Sequence, residues 1–429
     1  MWPRPCNTGV PFTLGLETPP ASAYRAGHNG TMAHTQAQHR HLVGWLSLAQ
    51  LITWGSVFYA FAVLMEPLER ELGLSRAQSS LAFSLALLAE GLLAYPVGRW
   101  IEQGHERAVM TGGSLLVVLC LAAHSQVHSL AAFYAVWTGL GVALSATLYT
   151  PAFAVITRRY PNDFRRAIIT LTFLGGLAST VFTPLTASLI HLFGWRHALL
   201  LLGLFNLLLC VPIHAVMLRG PSRTVCPKMQ RLPVPPISQY LRSPTFILIS
   251  AFVVLMMGVT AALPAHMVSL LRETGLSESW VIAIPASMGI IQVLGRLLLY
   301  FFEYRFDVHV ANRIIPMLIP LGLLALILGS GHGEAALLFV LLYGLGNGML
   351  TIVKGTAMAQ YVSRAHMASL NGALGVPLAL ARAGAPLMLG MLWNAQIGYG
   401  LGLWLLLMAS IAAVGALWLA QHRSRVPEH

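Results

Sequence analysis

Four ionisable side chains stand inside long apolar runs of this sequence: Glu90, Arg296, Lys354 and Arg382. Charge is costly in hydrocarbon, so each is first a candidate for binding a ligand or moving a proton. Around Arg382, the residues Asn371, Gly375, Ala379, Arg382 and Pro386 recur at helical spacing and form a narrow stripe of small and polar groups. A guanidinium on such a stripe can grip a carboxylate through two parallel hydrogen bonds. The competing reading pairs it with Glu90. Lys354 shares one helical face with Tyr343, Asn347 and Thr351, and it either meets a ligand or reaches back to a headgroup layer. Arg296 follows Gln292 by about one turn. Glu90 is the one acid deep in an apolar run, and it either loads and unloads a proton or balances a buried cation. Three cations against one acid favour an anionic substrate.

Composition sets the medium that must hold these groups. The chain has 429 residues, 56% hydrophobic and 9% charged, with a mean hydropathy of +0.70. Soluble domains carry about a quarter charged residues, so lipid is the solvent here and the expected fold is an all-α membrane bundle. At about 20 apolar residues per span, twelve transmembrane helices are expected. They fall near 42–65, 78–99, 108–128, 130–157, 167–193 and 197–218, then 244–268, 279–302, 310–330, 335–360, 367–393 and 397–420. A polar N-terminal tail, 1–41, precedes them; Met32 is an alternative start that would leave residues 1–31 untranslated. A basic loop, 219–243, divides the six-helix halves 42–218 and 244–420, and residues 421–429 form a second tail.

Arginine and lysine are unevenly spread. With the N-terminus inside, only Arg70, Arg76, Arg196 and Arg272 fall outside, which favours two cytoplasmic termini, with a bacterial cell membrane as the expected location. The same asymmetry accounts for the net charge of +12, so nucleic acid is not an expected partner. Cys6, Cys120, Cys210 and Cys226 form no CxxC pair, and His34, His39 and His41 lack ligand spacing; neither a disulfide framework, a metal site nor a cofactor is expected. No HExxH, GxSxG or P-loop motif occurs, so an enzyme is not expected either.

The halves repeat. Gly139-Leu140-Gly141 answers to Gly344-Leu345-Gly346, Gly98-Arg99 to Gly295-Arg296, and Gly194-Trp195 to Gly398-Tyr399. Three matches in one order argue for a duplicated six-helix unit, an architecture in which the site lies between the copies.

The loop Gly98-Arg99-Trp100-Ile101-Glu102-Gln103-Gly104-His105-Glu106-Arg107 resembles the signature between helices two and three of the major facilitator superfamily, with Glu102 in place of the usual Asp. Residues 68–78, LERELGLSRAQ, and Gly194-Trp195-Arg196 are similar to the monocarboxylate-porter and oxalate/formate-antiporter branches. Ala135 stands where the drug and sugar branches often carry an arginine in helix four. The resemblance implies a monomeric secondary carrier of a small organic anion, a mono- or dicarboxylate, working by alternating access and coupled to a proton or a counter-anion. It implies that Arg296 meets the anion and that Gly98, Arg99, Glu102, Gly104 and Arg107 form a cytoplasmic gating loop, Glu102 pairing with a basic group or a helix end across the halves; Arg107 reads equally as an ordinary positive-inside charge. Arg382, Lys354, Asn347, Gln292 and Tyr343 are the further candidates for the binding wall. Gln50, Trp54 and Phe58 recur along the first helix, and Thr138, Ser145 and Tyr149 along the fourth; they either pack or shape a cavity. His266 is either a pH sensor or a hydrogen-bonded structural residue. An alternative function is efflux of a hydrophobic or amphipathic compound, which the 17 methionines would suit.

Overall fold

A computed structural model describes residues 41–159, 164–219, 237–302, 308–329, 332–362, 370 and 372–425. Most of the N-terminal tail, most of the central basic loop, the last four residues and Asn371 lie outside the described residues. Backbone groups in hydrocarbon must be satisfied within their own segment, and the described residues are accordingly helical, with one isolated β-bridge between Asn394 and Gly398.

Among the described residues, ten apolar helical runs are long enough to span a bilayer. Two of them, Arg76–His124 and Ala167–Met217, are 49 and 51 residues long, about twice what a single span needs. Each turns back at a glycine in the left-handed region, Gly104 at φ 97° and Gly194 at φ 78°, where a residue with a Cβ would be strained. Each long run therefore holds two spans, and the bundle has the twelve that the hydropathy pattern predicts. In chain order they are α1 His41–Leu72, α2 Arg76–Trp100, α3 Glu106–His124, α4 Leu130–Arg159, α5 164–193, α6 195–217, α7 Pro244–Glu273, α8 Glu278–Phe302, α9 308–328, α10 Gly333–Tyr361, α11 Gly375–Leu392 and α12 Gly400–Arg425. Capping residues fix several starts. Ser75 and Gln78 form a reciprocal capping box ahead of α2, and Ser243 caps α7 with Pro244 in its first turn.

Two spans depart from regular α geometry where it matters for the site. A π-helical turn over Trp54–Tyr59 lies in the middle of α1. Such turns add a residue to the helix and re-aim its side chains. α4 breaks at Leu148, where ψ is −161°, and the Thr147 carbonyl freed there accepts from Gln50 Nε2 on α1 at 2.6 Å.

Within Val43–His429, packing follows the duplication. In the first half α4 packs on α2 and α3; in the second α10 packs on α8 and α9. The principal contacts between the halves are α2 with α11 and α5 with α8, and these are each other's counterparts when each helix is exchanged for its copy six helices along. Small residues bring the backbones together. A Cβ added at Gly141 of α4 would lie 2.2 Å from the Ala86 carbonyl oxygen of α2, and one at Gly348 of α10 would lie 2.2 Å from the Gln292 carbonyl oxygen of α8. Across the halves, a Cβ at Gly91 would meet Ala379 Cβ at 2.5 Å, and one at Gly289 would meet the Gly176 carbonyl at 2.7 Å.

Candidate functional site

The contact of Gly91 with Ala379 brings the neighbouring charges of α2 and α11 face to face. Arg382 Nη2 donates to Glu90 Oε2 at 3.0 Å and Nη1 to Oε1 at 3.5 Å, a two-pronged pair between the halves. Their side chains are 19% and 11% exposed, so the pair is not sealed from water. Lys354, on α10, lies within electrostatic range of both Arg382 and Glu90, and it makes no hydrogen bond among the described residues. One carboxylate thus stands between two cations.

Arg296 is the third cation of the layer. Its Nε donates to the Gly348 carbonyl at 3.3 Å and its Nη1 to the Thr172 carbonyl of α5. The Tyr149 hydroxyl of α4 lies within hydrogen-bonding reach. These partners are neutral, and among the described residues Arg296 has no ion pair. Beside it, the Tyr59 hydroxyl of α1 lies against the Gln292 side chain. Arg296 therefore spans the second junction between the halves as Arg382 spans the first.

The first half presents rings to these charges. Trp54 lies 4.9 Å from Phe58 and 5.0 Å from Tyr149, and Tyr149 stacks on Phe153 at 5.4 Å with 11° between planes. The π turn in α1 and the break in α4 place these residues together. Two of the expected wall residues are set back from this layer. Tyr343 is fully buried, stacked on Phe339, and its hydroxyl donates to the Thr260 carbonyl at 3.3 Å. Asn347 is half-buried one turn further along α10.

The end of the bundle that carries Arg76 and Arg272 is tied across the halves. Arg272 of α7 pairs with Glu66 of α1, and Arg76 of α2 pairs with Glu69 at 3.2 Å while lying 4.9 Å over the Trp393 ring. Arg76 Nη1 also donates to the Tyr399 hydroxyl at 2.8 Å. Arginine only donates, so the Tyr399 hydroxyl donates to His266 Nδ1, 3.0 Å away, and His266 Nε2–H faces the Pro386 carbonyl at 3.0 Å. Burial raises the Tyr399 pKa above the ordinary phenol range and keeps that proton in place. Ser80 of α2 completes the histidine's surroundings at 3.3 Å. His266 thus has hydrogen-bonding partners on every polar atom. A cleft of about 270 Å³ lined by Glu66, Glu69, Arg70, Arg76, Arg272 and Glu273 remains above this seal.

At the opposite end the contacts among the described residues run within each half: Arg313 Nε donates to Gln421 Oε1 in the second, and a charged cluster forms in the first. Glu102 and Arg99 are exposed, and Glu102 makes no ion pair among the described residues. The buried acid is Glu106, which pairs with Arg159 and, at 3.8 Å, with Arg158. Arg159 also donates to the Leu218 carbonyl at 2.8 Å, and Arg107 to the Ala215 carbonyl at 2.8 Å. Gly104 supplies the turn that lets Arg158 approach the loop, and a Cβ at Gly98 would meet nothing. Sequence reasoning singled out Glu102 and passed over Glu106, Arg158 and Arg159. The signal was the adjacent arginine pair following an apolar run, which reads equally well as an ordinary cytoplasmic charge. Tyr59, Phe153 and Tyr399 were also passed over, because an aromatic in an apolar helix carries no mark of what it faces.

Residues 46–386 match the Major Facilitator Superfamily. No curated protein matches the chain in sequence. Among solved structures, a variant of the nucleoside transporter NupG superposes with a TM-score of 0.72 at 15% identity, covering 89% of this chain and 99% of the other. A bacterial homolog of the human lysosomal transporter Spinster, in an inward-facing and occupied conformation, superposes with a TM-score of 0.70 at 16% identity over 91% and 99%. The likeness at such identities is one of fold.

Proposed function

The chain belongs to the Major Facilitator Superfamily, a family of membrane transporters, and from that premise we propose that this multi-pass carrier moves a small organic anion by rocker-switch alternating access. The observation that carries the anion is the charge balance of the central layer. Glu90 is shared between Arg382 and Lys354, and Arg296 is held by neutral groups alone. An anion entering this layer meets cations whose charge the protein leaves uncompensated, which is worth more at low dielectric than in water. A lipophilic cation would meet repulsion.

In this reading Arg382, Lys354 and Arg296 hold the anion, with Gln292 and Asn347 at its edge. Glu90 releases Arg382 when it takes a proton, or balances charge when a counter-anion is the coupled species. The arginine and lysine distribution supports two cytoplasmic termini in a bacterial cell membrane. The sealed end then faces outside and the conformation is inward-facing. Glu102, exposed at the open end, is available to the second half when that end closes, with Gly98, Arg99, Gly104 and Arg107 shaping the loop that carries it. The sequence similarity to the monocarboxylate and oxalate/formate branches supports a carboxylate as the anion and a monomer as the working unit.

A thermal-shift panel on purified protein tests this. A carboxylate at about a hundred times its dissociation constant adds about 2.7 kcal/mol of stability, and Arg382→Gln should lose that shift while remaining folded. If only neutral or lipophilic compounds shift the wild type, and the variant responds as the wild type does, efflux of a hydrophobic compound replaces the anion reading.

A further inference from the structure

The central layer divides its chemistry between the halves. The second half supplies cations; the first supplies a continuous aromatic surface of Trp54, Tyr149 and Phe153. These three rings stay partly exposed, and Arg296, which Tyr149 meets, also reaches the Thr172 carbonyl of α5, so the ring surface borders the junction between the halves. Tyr149 joins the two chemistries, with its hydroxyl at Arg296 and its ring against both Trp54 and Phe153. An anionic head seated on Arg296 therefore sets the adjoining part of the same molecule on the ring surface.

We propose that the transported anion is an aromatic monocarboxylate, its carboxylate on Arg296 and its ring on the Trp54–Tyr149–Phe153 surface. This rests on the anion reading above and narrows its substrate class. A short aliphatic acid would leave the rings bare. A dicarboxylate laid along the same rings would press its second charge against an apolar surface, at a desolvation cost the rings do not repay. An aromatic ring gains offset or edge contacts, for which centroid separations of about 4.5–7 Å are favourable. A further group is left waiting: Trp54 Nε1 is buried and has no hydrogen-bond partner. A buried indole N–H usually finds an acceptor, and an oxygen substituent on the ligand ring would supply one.

The experiment is equilibrium binding to the full chain in detergent, read by melting temperature and by tryptophan fluorescence. The probes are benzoate, para-hydroxybenzoate, cyclohexanecarboxylate, succinate and benzyl alcohol. Benzoate should bind about tenfold more tightly than its saturated analogue, and para-hydroxybenzoate more tightly still. Trp54→Leu should erase the aromatic preference, and Trp54→Phe should retain it while losing the advantage of the hydroxyl. Equal binding of cyclohexanecarboxylate or succinate to the wild type overturns the aromatic class and leaves the anion reading standing. Binding of benzyl alcohol with no carboxylate binding overturns both. Absence of binding by either aromatic acid also overturns the proposal.

Discussion

Among the described residues Glu90 is the only carboxylate of the central layer, and it faces Arg382 through two hydrogen bonds and Lys354 through none. Removing its charge leaves two cations with no compensation. Breaking a dry buried pair costs about 3–5 kcal/mol; access to water lowers the expected loss in Glu90→Gln to about 2 kcal/mol. The double variant Glu90→Gln with Arg382→Gln should recover most of that loss, since no stranded arginine remains. Melting temperatures of the wild type, both single variants and the double variant complete the cycle, and additive effects would show that the pair is not coupled. The four candidate charges were legible in the sequence because a charge in an apolar run is conspicuous. Their partners were not. The contact between Glu90 and Arg382 depends on Gly91 meeting Ala379 across the halves, and no local pattern announces which small residue meets which.

Helix packing separates glycines that look alike in sequence. Gly141 lies against the backbone of Ala86, whereas Gly112 on α3 has open space where a Cβ would go. Gly141→Ala should destabilise the protein by about 1–3 kcal/mol through overpacking. Gly112→Ala should be neutral or stabilising by up to about 1 kcal/mol, because it restricts the unfolded chain and improves helix propensity. Thermal unfolding in detergent distinguishes them, and a similar loss in both would contradict the packing described. Helix number and type were readable from apolar run length alone. The π turn at Trp54–Tyr59 was not, since it contains no proline; the break at Leu148 follows from Pro151, which has no N–H for the Thr147 carbonyl four residues earlier. Those two irregularities decide which aromatics reach the central layer. The sequence therefore showed the frame of the site more fully than its first-half wall.

The two ends of the molecule are held differently. One is tied between the halves by arginines, Trp393, Tyr399 and His266; the other is organised within each half, around Glu106 in the first. A side chain that wedges the tied end should favour its opening. A Cβ on Gly390 would stand 2.1 Å from Ser80 Oγ and 2.9 Å from the Arg76 carbonyl oxygen, so Gly390→Ala should push α11 away from α2 there. In Ser80→Cys protein in detergent, adding Gly390→Ala should speed labelling of that cysteine by a water-soluble thiol reagent. An unchanged labelling rate would mean that this end stays closed. The duplication visible in paired glycine motifs reappears in the packing, where α2 meets α11 and α5 meets α8. Which end is closed was beyond sequence, because it is a choice between two packings of the same residues.

Pro386 lies within α11, and its carbonyl receives His266. Having no N–H, this proline also leaves the carbonyl of Arg382, four residues earlier, without its helical donor. α11 is therefore a jointed rod, with a latch above the joint and a charged grip at it. In the carrier proposed above, an anion that draws Arg382 off Glu90 would pull at the fulcrum of the segment that latches the tied end, so the cargo itself would work the bolt.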